Sequence, residues 1–217
     1  MLSETFEMLR QTKQLLADSG IRWAVCGGYA LELYLGASIR GHGDLDLSVP
    51  EEDREQVRRL MLDKGWRVYE FRGQGRMRPL CPDTPSEKGR NLMCVKDGCE
   101  LVTFWPCDEP GMVLHEWHPV GIQALNYMEF LFHEESGGSY WFSDALRLPT
   151  QRACLSRDGI PYLAPELVLL YKASQPEREA NRADYEAVFP RLTEASRAWL
   201  LKALPPDHPW AGGARHG

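Results

Sequence analysis

Trp23-Ala-Val-Cys26-Gly27-Gly28-Tyr-Ala-Leu-Glu-Leu-Tyr-Leu-Gly36-Ala-Ser-Ile-Arg40-Gly-His42-Gly-Asp44-Leu-Asp46-Leu-Ser-Val49 reads as strand, glycine turn, short helix and second strand. Side chains alternate across a strand, so Asp44 and Asp46 share one face while Leu45, Leu47 and Val49 point to the other, where they can be buried. Two neighbouring carboxylates repel each other and raise each other's proton affinity, so the pair calls for a cation. Magnesium fits: it is a hard ion that takes oxygen ligands and usually binds one or two carboxylates together with substrate phosphates. Two such ions roughly 3.5–4 Å apart would clamp the attacking and leaving oxygens of an in-line displacement at phosphorus. Upstream, a glycine turn opening a helix presents backbone N–H groups to phosphate, which is the role expected of Gly27 and Gly28.

Each piece alone is weak. Asp-x-Asp is common on solvated strand faces, and Gly27-Gly28 matches neither the dinucleotide fingerprint nor the P-loop. Together, strand, Gly-Gly, helix and Arg40-x-His42-x-Asp44-x-Asp46 resemble the signature of the DNA polymerase beta-like nucleotidyltransferase superfamily, most closely its aminoglycoside and lincosamide adenylyltransferase-like branch. A second stretch, Pro165-Glu-Leu-Val-Leu-Leu-Tyr171-Lys172-Ala173 followed by Arg178, Asn181, Arg182, Asp184 and Tyr185, looks like the helical segment after the catalytic domain in that branch.

The resemblance implies an α/β (α+β) fold, with a mixed sheet flanked by helices and a C-terminal helical subdomain. It implies two magnesium ions, and a donor that is ATP or another nucleoside triphosphate. A nucleoside monophosphate, AMP in the first instance, would pass to a hydroxyl of a small molecule, aminoglycoside-like or lincosamide-like, with release of pyrophosphate. The nucleotide-binding residues it implies are Gly27, Gly28, Arg40, His42, Lys172 and Arg182; Asp44 and Asp46 are the metal ligands.

In this superfamily a third carboxylate on a neighbouring strand joins the pair. Asn91-Leu-Met-Cys-Val-Lys-Asp97-Gly98-Cys-Glu100-Leu-Val-Thr-Phe-Trp105 reads as a hairpin turning at Asp97-Gly98, which makes Glu100 the expected third catalytic and metal-binding carboxylate. Family members carry Asp at the matched position. Glu100 is one methylene longer and stands open as either ligand or general base, with a solvated strand end as the bland alternative. Asp97 reads as a turn residue, and Asp108 and Glu109 as loop.

The chain has 217 residues, 43% of them hydrophobic, enough for one domain or two small ones. The expected division is a catalytic domain over 1–150 and a helical domain over 151–217. Within the first, helices are expected at 3–18, 28–35 and 51–64, and strands at 22–26, 66–71, 91–96 and 99–105. No apolar run reaches a membrane span of roughly 18 residues, and the N-terminus lacks secretory-signal features, so a cytoplasmic location is expected. The six cysteines lack zinc spacing and read as free thiols, with a Cys94–Cys99 bridge as the alternative. A net charge of −6 argues against a general nucleic-acid partner. The basic, Gly- and Pro-rich stretch 72–90 reads as a surface loop or a lid. The aromatics between Trp105 and Trp141 read as core, or as a stacking surface in a cleft. Two other functions stay open: AMP transfer to a protein side chain, and a non-catalytic nucleotide-binding module.

Overall fold

The computed structural model describes residues 2–121, 124–143 and 145–212. In chain order the elements are α1 (Leu2–Leu16), β1 (Ala24–Val25), α2 (Gly27–Leu35), β2 (Asp46–Pro50), α3 (Arg54–Asp63), β3 (Arg67–Gly73), β4 (Arg76–Leu80), β5 (Leu92–Val95), β6 (Val102–Pro106) and β7 (Val113–Trp117). There follow β8 (Tyr127–His133), β9 (Glu135–Ser136), β10 (Ser139–Ser143), β11 (Leu146–Pro149), α4 (Thr150–Ala153), β12 (Cys154–Arg157), β13 (Ile160–Leu163), α5 (Pro165–Lys172), α6 (Glu179–Val188), α7 (Glu194–Ala203) and α8 (Pro209–Gly212). No helix among the described residues is long and apolar enough to cross a membrane.

Ten strands form one mixed sheet in the order β12-β13-β1-β2-β8-β5-β3-β4-β7-β6, and β9 to β11 form a small second sheet. The β1–β13 and β2–β8 pairs are parallel and the other pairs antiparallel. The alternation in β2 works as its residues dictate: Leu45, Leu47 and Val49 are fully buried, while Asp44 is exposed and Asp46 half-buried. Burying those three aliphatic chains contributes about 1.5–3 kcal/mol each and fixes the register, because a one-residue slip would send the carboxylates into the core.

Three expectations are revised. β5 and β6 are not a hairpin: a turn does form at 96–99, with Gly98 at φ 79 and the Cys99 N–H reaching the Lys96 carbonyl, but β5 pairs with β3 and β8 while β6 pairs only with β7 at the sheet edge. The reading of the cysteines as free thiols holds, Cys94 and Cys99 included. The 72–90 stretch contains a strand, β4, and its cations are paired within the fold. Arg72 and Arg78 meet the fully buried Glu70, Arg72 and Arg90 meet Glu87, Arg76 meets Glu109 and Lys88 meets Glu134. The helical portion begins at Pro165, since β12 and β13 lie beyond residue 150 and still belong to the main sheet.

α5 starts with proline in its first turn, where the missing N–H is harmless, and buries Leu167 to Leu170 as a continuous run. It packs against α2, α6 and α7, so the helix behind the glycine turn and the C-terminal helices share one core.

Candidate active site

The third carboxylate beside Asp46 is Glu129. β2 and β8 run parallel with Asp46 opposite Glu129, and the ladder is extended by the Glu129 N–H donating to the Leu45 carbonyl at 2.8 Å. Burial, then repulsion from Asp44 and Glu129, pushes the Asp46 carboxyl well above its usual range. Lys172 and Arg178 pull it the other way without prevailing. Burial and the charge of Asp44 likewise push Glu129 up to about 7, although the Tyr127 hydroxyl donates a hydrogen bond to its Oε1. Three acidic groups therefore crowd a partly desolvated site in which the surrounding cations do not balance them.

The glycine turn fits against this group so closely that only glycine can occupy it. Gly27 opens α2 with φ +64, and a Cβ there would lie 2.3 Å from Asp46 Oδ2; a Cβ on Gly28 would lie 2.2 Å from the His42 ring. The Cys26 N–H donates to the Asp46 carbonyl at 2.9 Å, locking turn to strand.

Two buried acids hold the surrounding segments. Glu32, on α2, accepts hydrogen bonds from Ser38 Oγ at 2.8 Å and from the Ile39 N–H at 2.7 Å, and His42 Nε2 lies 3.0 Å from its Oε1. Burial opposes ionisation of Glu32, but these contacts outweigh it and hold the carboxyl below its usual range. Asp184, fully buried on α6, takes both Arg40 Nε and Nη2 at 3.0 Å and Lys172 Nζ at 2.9 Å. There too burial is overcome, first by the Arg40 hydrogen bonds and then by the Lys172 charge, and the pKa is lowered. Glu32 thereby shapes the segment leading into Asp44, and Asp184 ties that segment to α5 and α6.

Two cavities reach the acidic group, one at Asp46 and the other at Asp44. The first, about 400 Å³, is lined by Gly27, Asp46, Ser48, Tyr171, Lys172 and Arg178 among others. The second, about 710 Å³, is lined by Gly43, Asp44, Leu101, Trp117, His118 and Arg178 among others. Arg178, at the residue before α6, borders both.

Residues 5–109 match the model of a family described as an uncharacterised nucleotidyltransferase. The match takes in β1, α2 and β2, the stretch that carries Gly27, Gly28, Asp44 and Asp46. The solution structure of the antibiotic-resistance factor ANT(2'')-Ia is similar at a TM-score of 0.52 and 13% identity, with 91% of each chain covered. The crystal structure of ANT(2'')-Ia in complex with adenylyl-2''-tobramycin gives 0.50 at 15% identity, covering 90% of this chain and 98% of that one. The lincosamide antibiotic adenylyltransferase LnuA, solved with lincomycin bound, gives 0.50 at 13% identity, covering 84% and 94%. At these identities the likeness is one of fold. No curated protein matches the sequence.

The expected site residues separate into two sets. Gly27, Asp46 and Lys172 line the first cavity and His42 and Asp44 the second, while Gly28 packs against the His42 ring. Arg40 and His42 sit beside the glycine turn but are engaged with Asp184 and Glu32. Arg182 is exposed and is not among the residues lining either cavity, whereas Arg178, one helical turn earlier, borders both. Glu100 is exposed, lies just before β6, and is not among the charges acting on Asp46. The structure also brings in Glu129 and Glu32, which the sequence reading did not single out, and Arg178 and Asp184, which it quoted in the C-terminal stretch without giving them a role. Glu129 did carry a signal, an acid inside the apolar run Tyr127-Met128-Glu129-Phe130, but nothing local showed that this strand would lie parallel to β2.

Proposed function

We propose that the protein transfers a nucleoside monophosphate, AMP from ATP, to a hydroxyl of a small molecule with magnesium, releasing pyrophosphate. The observation that carries this reading is the register pairing of Asp46 with Glu129 beside Asp44, with Asp46 lining one cavity and Asp44 the other. The donor set suits magnesium: every group is a carboxylate oxygen, and burial together with mutual repulsion opposes ionisation of Asp46 and Glu129, a cost that a bound cation would relieve. Among the described residues no three His, Cys, Asp or Glu side chains converge to cage an ion by themselves. Water and substrate phosphate would have to complete the shell of a bound ion. Asp44 and Asp46 would hold it, with Glu129 as the third acid in place of Glu100; when bound it neutralises charge developing on the phosphate oxygens.

The first cavity suits the donor. Gly27, at the start of the glycine turn, and the cations of Lys172 and Arg178 border it and would orient the phosphates. The second suits the acceptor, whose hydroxyl would approach the α-phosphorus past Asp44. A new oxygen–phosphorus bond forms, the bond from the α-phosphorus to the bridging oxygen breaks, and pyrophosphate leaves. Glu129 would take the hydroxyl proton: Tyr127 fixes its Oε1, and Oε2 makes no hydrogen bond among the described residues.

The test is pyrophosphate release from each nucleoside triphosphate with magnesium and pooled alcohols, beside Asp44→Asn. Acceptor-dependent release that the variant lacks supports the reading. Nucleotide binding unaffected in both Asp44→Asn and Asp46→Asn removes its basis, and label appearing on protein alone moves the acceptor to a macromolecule.

A further inference from the structure

The second cavity has a wall unlike the first. Its described lining contains a single carboxylate, Asp44, and a single fixed cation, Arg178; the remainder is Gly41, Gly43, Pro119, Val120 and Gly121, Leu101, and the rings of His42, Trp117 and His118. The sequence from His118 to Asn126 adds no charged side chain. Trp117, at the end of β7, is 42% exposed. It packs near-perpendicular to Tyr127, with centroids 5.5 Å apart at 74°, and to His115, 5.5 Å apart at 86°. His115 is anchored in turn, its Nδ1 2.8 Å from the Gly75 carbonyl oxygen. His118 is fixed beside it, Nε2 lying 2.7 Å from Thr103 Oγ1 and its N–H donating to the Leu101 carbonyl at 2.9 Å.

An indole braced by two near-perpendicular rings and partly open to a cavity is a pre-ordered stacking surface that loses little side-chain freedom when a ring lies on it. A polycation would find no set of carboxylates here, and would meet the Arg178 guanidinium; the one acid present already belongs to the acidic group at phosphorus. We infer that this cavity takes an uncharged, hydroxyl-bearing ligand with a flat or apolar ring face, stacked on Trp117, and does not take a polyamine. The inference rests on the reading of this cavity as the acceptor side.

The test is calorimetric binding to the full chain loaded with magnesium and α,β-methylene ATP, which is not cleaved at the α-phosphate. Phenyl β-glucoside serves as the neutral probe and tobramycin as the polycationic one. The expected result is saturable binding of the glucoside, insensitive to added salt. It should weaken roughly tenfold in Trp117→Ala, recover largely in Trp117→Phe, and leave the affinity for the nucleotide analogue unchanged in both variants. Tighter binding of tobramycin that fades with salt, no binding of the glucoside, or glucoside binding indifferent to Trp117→Ala each overturns the inference. Failure of the nucleotide analogue to bind overturns the transferase reading instead, and glucoside binding without nucleotide then decides the inference by the same criteria.

Discussion

Glu129→Gln removes a charge that the folded protein holds at a disadvantage, and its effect on stability can be worked out in advance. Burial and Asp44 raise this carboxyl from 4.5 to about 7. A group that binds its proton more tightly when folded stabilises the fold at low pH, and that contribution is lost as pH rises from the unfolded value, 4.5, through the folded value near 7. At about 1.4 kcal/mol per unit the loss comes to about 3 kcal/mol, complete above neutrality. Glutamine keeps the acceptor that the Tyr127 hydroxyl needs but cannot ionise, so the variant escapes this loss and also eases the repulsion felt by Asp46. Thermal melts in a chelating buffer should therefore nearly coincide at pH 5, and at pH 8 the variant should melt higher by roughly 6–12 °C for a chain of this size. Magnesium should close the gap at pH 8 by stabilising the wild type. Parallel curves from pH 5 to pH 8 would show that Glu129 is neither desolvated nor crowded by Asp44, and the three-carboxylate site would fall with it.

Asp46→Asn should likewise raise the melting temperature of the metal-free protein above neutrality while abolishing magnesium-dependent nucleotide binding; a variant that melts lower and still binds would contradict both assignments. Asp184→Asn strands Arg40 and Lys172 beside a neutral amide, and urea denaturation should show a loss of about 3 kcal/mol, whereas a change near zero would mean that the ion triad does not hold the loop. Gly28→Ala drives a methyl into the His42 ring, 2.2 Å from its nearest atom, so the loop before Asp44 must shift; nucleotide binding measured with a fluorescent ATP analogue should weaken at least tenfold, and unchanged affinity would remove the turn from the site.

The segment from Trp23 to Val49 was legible because it is self-sufficient: alternation, turn glycines and the carboxylate spacing are all local, and the structure reproduces strand, helix and strand in that order. Glu129 was illegible for the opposite reason. Its place beside Asp46 depends on a parallel pairing across some eighty residues of chain, which leaves no local mark. Glu100 shows how a correct local reading misleads. The turn at Asp97-Gly98 forms as its chemistry demands, yet the strand that follows leaves for the sheet edge, so a residue expected beside the acids stands apart from them. Arg40 and His42 follow the same rule: their closeness to the glycine turn was readable, but their partners Asp184 and Glu32 are a tertiary matter.

Arg178 borders two chambers with one guanidinium. A charge shared in this way is a thermodynamic link: an anion settled in the first chamber draws on the same field that a guest in the second would meet. The affinity of either guest then depends on whether the other is present, by one and the same factor in both directions. Binding constants measured for each ligand alone would not multiply to that of the ternary complex, and the sequence in which the chambers fill becomes a property of a single side chain at the start of α6.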